Sequence, residues 1–74
     1  MITIEQAKEK FRKLVESSEK KYTIQTVWEI SFDDPIYAMI AIDENGNQVF
    51  PGEAFPSIRK NDGSLVNFQL PITG

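Results

Sequence analysis

Tyr22-Thr23-Ile24-Gln25-Thr26-Val27-Trp28-Glu29-Ile30-Ser31-Phe32 decides the fold of this chain. Its apolar and polar residues repeat with period two, as the alternating side chains of a strand require. Tyr22, Ile24, Thr26, Trp28, Ile30 and Phe32 are expected on one side, and Thr23, Gln25, Val27, Glu29, Ser31 and Asp33 on the other. A strand with one apolar face needs a covering element, and the preceding residues supply it.

Upstream, Ile4, Ala7, Phe11, Leu14, Val15 and Ser18 recur at spacings of three and four, which is one apolar stripe on a helix. Thr3 and Gln6 stand in capping-box positions, Ile2 and Ala7 can form the hydrophobic staple, and Glu5 suits the positive end of the helix dipole. Lys8, Glu9, Arg12, Lys13, Glu16 and Lys20 cover the other faces, with Glu9-Lys13 and Glu16-Lys20 at the spacing of intrahelical ion pairs.

Downstream, Asp33-Asp34-Pro35 breaks the first strand, because Pro35 fixes its own φ and keeps Asp34 out of the helical region. Ile36 to Ile42 is apolar on both faces, so this second strand belongs at the centre of the sheet. Asp43-Glu44-Asn45-Gly46 is a hairpin loop with Gly46 at a left-handed position, and Asn47 to Phe50 pairs back. Pro51-Gly52 suits the centre of a type II turn, and Phe55-Pro56 enters a short extended segment from Ser57 to Lys60. Asn61-Asp62-Gly63-Ser64 is a further turn. Val66, Phe68 and Leu70 then alternate with Leu65, Asn67 and Gln69 in a last strand, and Pro71 and Gly74 end the ordered chain. The expected fold is α+β over residues 1–74 as a single small domain. One N-terminal amphipathic helix packs on one face of an antiparallel sheet of four or five short strands.

Composition narrows function by exclusion. A chain of 74 residues buries about 60–65% of the surface its unfolded form exposes, so the core is small. The absence of cysteine excludes disulfides and thiolate metal sites and fits a reducing compartment. The 41% hydrophobic content is too high for a disordered chain. A net charge of −3 opposes binding to a phosphate backbone, so no nucleic-acid partner is expected. Nothing resembles a membrane span or a secretory leader, which makes the expected location cytoplasmic. The charge is also uneven. Residues 1–21 carry six basic against four acidic side chains, and residues 22–74 carry two against seven, so the sheet half is acidic.

Catalytic chemistry finds little to work with. There is no histidine and no cysteine, and the serines at 17, 18, 31, 57 and 64 have no histidine to activate them. The carboxylate pairs Asp33-Asp34 and Asp43-Glu44 both lie in turns, where aspartate is favoured by its bonds to nearby backbone. The second pair lacks the acidic spacing and the distal bidentate glutamate of a calcium loop. Hence no catalytic residue, metal ligand or cofactor is expected, and the chain reads as a non-enzyme.

Val49-Phe50-Pro51-Gly52-Glu53-Ala54-Phe55-Pro56 is rigid and apolar, unlike a generic polar loop. Phe50 and Phe55 have two readings: closing one end of the core as a lid, or joining Pro51, Glu53 and Pro56 in a pre-organised contact surface. Trp28 divides the same way, being core if its face is covered and an interface anchor if it is not. Trp28, Phe50, Pro51, Glu53 and Phe55 are therefore the candidate interaction residues.

The order of elements, from Ile2-Thr3-Ile4-Glu5-Gln6-Ala7 through Tyr22–Phe32 to Ile42-Asp43-Glu44-Asn45-Gly46, resembles a PepSY-type unit or a small helix-then-sheet immunity protein of the kind that neutralises bacterial toxins. Phe55-Pro56-Ser57-Ile58-Arg59-Lys60-Asn61-Asp62-Gly63 is similar to the strand-and-turn segment that closes some of those immunity domains. The chain is short for such a protein and matches no inhibitory motif, so no functional residue carries over. What the resemblance implies is a non-catalytic, protein-binding role in bacteria, of which an immunity or inhibitor protein is one form. The expected partner is another protein or a second copy of the chain in a homodimer. The alternatives are a self-associating structural domain and a small-ligand or metal-binding domain built on the two acidic turns.

Overall fold

The helix begins where the capping box places it. Thr3 N–H donates to Gln6 Oε1 at 2.8 Å, and Gln6 N–H donates to Thr3 Oγ1 at 3.2 Å, satisfying two otherwise orphaned donors. In the computed structural model, which describes residues 1–68, helix α1 runs Ile4–Glu16 and five strands follow. They are β1 (Tyr22–Ile30), β2 (Ile36–Asp43), β3 (Gln48–Val49), β4 (Ser57–Arg59) and β5 (Leu65–Val66). The sheet is antiparallel in the order β1-β2-β4-β5, and β3 pairs with the far end of β2. β2 is thus the central strand, as its two apolar faces require.

Ala7 and Phe11 are fully buried against Tyr37, Met39, Ala41 and Ile58, with Ile4, Leu14, Val15, Tyr22, Ile24, Val27 and Phe55 packed around them. The Cα extents of 35 × 31 × 16 Å accommodate two layers, since packed layers stack about 10 Å apart. On the helix surface, Arg12 bridges Glu9 and Glu16, in place of the expected Glu9-Lys13 and Glu16-Lys20 pairs. The planar guanidinium fork turns Nε and Nη2 to Glu9 and Nη1 to Glu16, so one side chain serves both carboxylates.

The principal correction concerns β1. Tyr22, Thr23 and Ile24 pair with Asp43, Ile42 and Ala41, but Thr26 pairs with Ile40, so Gln25 is an extra residue opposite no partner. This bulge reverses the inside–outside alternation. Tyr22 and Ile24 face the helix, as does Val27 beyond the bulge. Thr26, Trp28 and Ile30, expected on the face of Tyr22 and Ile24, pair with Ile40, Ala38 and Ile36 and lie on the opposite face. Phe32, expected to continue the strand, lies beyond its end at Ile30 and is 54% exposed.

The turns follow their sequence chemistry. Asp43 N–H donates to Asn47 O, Gly46 N–H donates to Asp43 O at 3.0 Å, and Gly46 takes φ +84°. Asp43 Oδ1 also accepts from the Asn45 and Asn47 amides at 2.9 Å each. Glu53 N–H donates to Phe50 O across Pro51-Gly52, with Gly52 at φ +87°, as a type II turn requires. The last strand covers Leu65–Val66 alone, and the Gln69 and Leu70 portion of the expected strand lies outside the described residues, as do Pro71 and Gly74.

Candidate interaction surface

With the parity of β1 reversed, the helix-free face can be read from the register. Trp28 sits beside Ala38, Ile30 beside Ile36, Thr26 beside Ile40, and Thr23 beside Ile42. Arg59 joins the row of Ile36, and Ser57 lies beside Val66. Ile36, Ala38 and Ser57 are buried, whereas Trp28, Ile30, Ile40, Ile42 and Val66 are half-buried. No helix or second sheet among the described residues lies on this face. It is an apolar field anchored by the chain's single tryptophan.

An aromatic pair borders the field. Phe32 and Phe68 stand 5.7 Å apart at 56°, and with Ser31, Asp33, Ile36 and Val66 they line a shallow depression. Asp34 at its edge is engaged by Arg59 Nε at 2.7 Å, while Asp33 is exposed with no ion-pair partner among the described residues. Neither Phe32 nor Phe68 is among the sequence candidates. The signal that could have found Phe32 is its polar neighbourhood Ser31-Phe32-Asp33-Asp34, in which an aromatic residue has little local core to join.

The five sequence candidates divide between two locations. Trp28 is on the helix-free face. Phe55 is on the helix side, where its ring meets Tyr22 edge-on at 5.0 Å and 81°, so it closes the core as a lid. Pro51 is buried at the turn. Phe50 is half-buried and takes no part in the helix-side cluster, and Glu53 is exposed at the tip. Trp28 and Phe55 therefore do not form one surface.

Charge on the helix side is organised by Lys60, which donates to Glu29 Oε1 at 2.7 Å and lies 6.0 Å above the Tyr37 ring. The hydrogen bond from Lys60 holds the Glu29 carboxyl below the ordinary carboxylate range, and the same bond raises Lys60. Tyr37 Oη donates to Ile2 O at 3.2 Å, and Ile2 N–H donates to Lys60 O at 2.8 Å, so the amino-terminal residues are tied to the end of β4. Hydrogen bonds from Ser64 likewise lower Asp62, and Arg12 lowers Glu9. The Glu29–Lys60 and Glu9–Arg12 contacts are ion pairs on partly exposed surface, and Glu9 and Arg12 also line an open depression with Glu5, Lys8, Ile24 and Val27. Among the described residues no three His, Cys, Asp or Glu side chains converge as a metal site would need, and no helix is long and apolar enough to cross a membrane. Compared with known proteins, the chain matches no family model, no curated protein and no solved structure.

Proposed function

We propose that this protein is a non-catalytic protein-interaction module whose working surface is the helix-free face around Trp28. The observation that supports it is the Gln25 bulge, which turns Trp28 away from the helix and sets it beside Ile30, with Phe32 exposed at the end of the strand. A large aromatic in a half-buried apolar field with a polar rim is the anatomy of an interface hot spot. Asp33 and Glu53 add acidic groups near opposite ends of the sheet, which suits a partner with a basic surface. An immunity or inhibitor role agrees with this reading through the resemblance of the element order.

The test is capture from host lysate by immobilised protein, with partners identified by mass spectrometry. Trp28→Ser and Phe32→Ser should weaken a captured partner about 30-fold each, the scale of a hot-spot truncation. Asp33→Lys with Glu53→Lys should weaken it further and reduce its salt dependence. Asp43 is unsuitable for this purpose, because its carboxylate holds the hairpin together. A partner that binds all three variants as tightly as the parent protein would refute the assignment.

A further inference from the structure

We propose that two copies of this chain join along their β1 strands, antiparallel about a two-fold axis, so that two five-stranded sheets become one continuous sheet. The inference goes beyond the Trp28 reading and stands on the strand's backbone and its flanking charges.

β1 is the longest strand at nine residues, and among the described residues it pairs only with β2. The row of N–H and C=O groups on its other side is a template for another strand. Edge strands are ordinarily blunted by shortness, proline, charge or a bulge, and the one bulge of β1 lies at Gln25, ahead of the Thr26–Ile30 stretch. The opposite edge of this sheet, β5, is two residues long. β1 contains no proline, and its single charged residue, Glu29, is already held by Lys60. The bulge at Gln25 leaves Thr26 to Ile30 in regular pairing.

The register identifies which groups point outward. Lys60 N–H donates to Pro35 O at 2.9 Å, continuing the pairs Ile36↔Arg59 and Tyr37↔Ile58. Odd-numbered residues of β2 therefore direct their backbone groups to β4, and even-numbered residues direct theirs to β1. At the other end of β2, the bond from Asp43 N–H to Asn47 O obeys the same parity. Ile36, Ala38 and Ile40 pair with Ile30, Trp28 and Thr26, so these three use their backbone groups on β2. Val27 and Glu29 are left with theirs turned outward.

Charge selects a second copy as the occupant. Lys20 and Lys21 precede β1, and Asp33 follows it. All three are exposed and form no ion pair among the described residues. Centring a two-fold axis on Trp28 pairs Val27 of each copy with Glu29 of the other and brings Lys20-Lys21 of each copy to the Asp33 end of the other, at both ends of the new ladder. A parallel alignment would instead set lysine against lysine. Because backbone pairing uses Val27 and Glu29, the helix-free faces of the two copies come to lie side by side with both Trp28 side chains on one surface.

Sedimentation of the full chain across a micromolar to millimolar range, with amide hydrogen exchange on the same samples, tests the proposal. The expected result is a species of twice the 8.4 kDa chain mass in which the Val27 and Glu29 amides gain protection as concentration rises. Lys20→Glu with Lys21→Glu should weaken association about tenfold, each reversal acting at both ends of the ladder. Adding Asp33→Lys to that variant should restore association. A monomer at every concentration would overturn the proposal, as would a dimer whose Val27 and Glu29 amides exchange at the monomer rate. A change in Trp28 emission on dimerisation, with those amides unaffected, would assign association to the helix-free face instead and equally refute it. Failure here leaves the capture experiment untouched, since that experiment reads the Trp28 side chain.

Discussion

Deleting Gln25 should leave the protein folded and nearly as stable as before. The residue is the one extra position in β1: pairs on one side of it run Ile24↔Ala41 and on the other Thr26↔Ile40. Removing it joins Ile24 directly to Thr26 in regular alternation, with Tyr22, Ile24, Val27 and Glu29 still facing the helix and Thr26, Trp28 and Ile30 still facing away. The deletion removes the bond from Gln48 Nε2 to Gln25 Oε1 at 3.0 Å, an exposed pair worth about 0.5–1 kcal/mol. Losing one residue's backbone freedom from the unfolded chain offsets that by about 1–2 kcal/mol. The net change should lie within about 1 kcal/mol. If β1 instead alternated without a bulge and Trp28 belonged to the helix-side core, the same deletion would eject it. That would cost about 3–5 kcal/mol from the ~4–11 kcal/mol available to a chain of this length. Urea denaturation followed by the fluorescence of Trp28 separates the outcomes, because a slope of about 1 kcal/mol/M converts them into midpoint shifts of about 1 M or less against about 3 M or more. Acrylamide quenching of Trp28 in the folded deletion variant should match the parent protein. An unfolded variant, or one with Trp28 newly shielded or exposed, would refute the bulge.

Three further outcomes follow from single sites. Gly46 and Gly63 both take positive φ, but a Cβ on Gly46 meets nothing within 4 Å, whereas one on Gly63 lies 3.3 Å from Ile2 Cγ2 and from Lys10 Cε. Because Ile2 is held by hydrogen bonds to Lys60 and from Tyr37, Gly63→Ala should cost about 2–3 kcal/mol in denaturation against about 1–2 kcal/mol for Gly46→Ala, and equal losses would contradict the packing. The Ser57 hydroxyl is fully buried without a hydrogen-bond partner among the described residues, so Ser57→Ala should be neutral or raise stability by about 1 kcal/mol; a clear loss would mean the hydroxyl has a partner. Glu9, Glu29 and Asp62 are held below their ordinary range by Arg12, Lys60 and Ser64, so their stabilisation is complete above about pH 4–4.5 and is lost as pH falls through their lowered values. Lys60 is raised, and its stabilisation is complete below its ordinary value and lost only as pH climbs through the raised one. Urea midpoints measured against pH should therefore show a plateau with an acid-side fall, and Lys60→Met should shrink that fall; a midpoint that rises on acidification would contradict the assignment.

What can be read from the sequence is what short range determines. The Thr3-Gln6 capping box, the Asp43–Asn47 hairpin and the Pro51-Gly52 turn each depend on residues within five positions of one another, and each forms as its chemistry requires. β2 can be placed centrally because a strand apolar on both faces has nowhere else to go. The bulge cannot be read, because Gln25 is an extra residue only relative to the register of β2, and nothing in its own neighbourhood marks it. Thr26 and Val27 both suit a strand on either face, so the alternation runs through them without a visible break. The candidate site inherits that error: alternation groups Trp28 with Tyr22 and Ile24, which lie on the other side of the sheet. The Lys60–Glu29 pair is equally hidden, joining residues 31 positions apart whose proximity depends on β1 and β4 flanking β2.

The single inserted residue also separates the two proposed associations into different atoms of one strand. Beyond the bulge, Val27 and Glu29 turn their side chains to the helix and their backbone groups to the open edge, while Trp28 turns its side chain to the free face and its backbone to β2. A partner on the face and a copy on the edge can thus be held at once without competing for a group. Edge pairing would set two Trp28 surfaces side by side, so a partner with two sites would gain avidity of roughly a hundredfold or more over a monomer, by the effective-concentration rule. Lys20→Glu with Lys21→Glu should then reduce that gain while leaving the affinity of a single Trp28 surface intact, and Trp28→Ser should do the reverse, weakening capture about 30-fold while the dimer persists. If both variants lost both properties together, the edge and the face would be one interface, and the separation drawn from the register would be wrong.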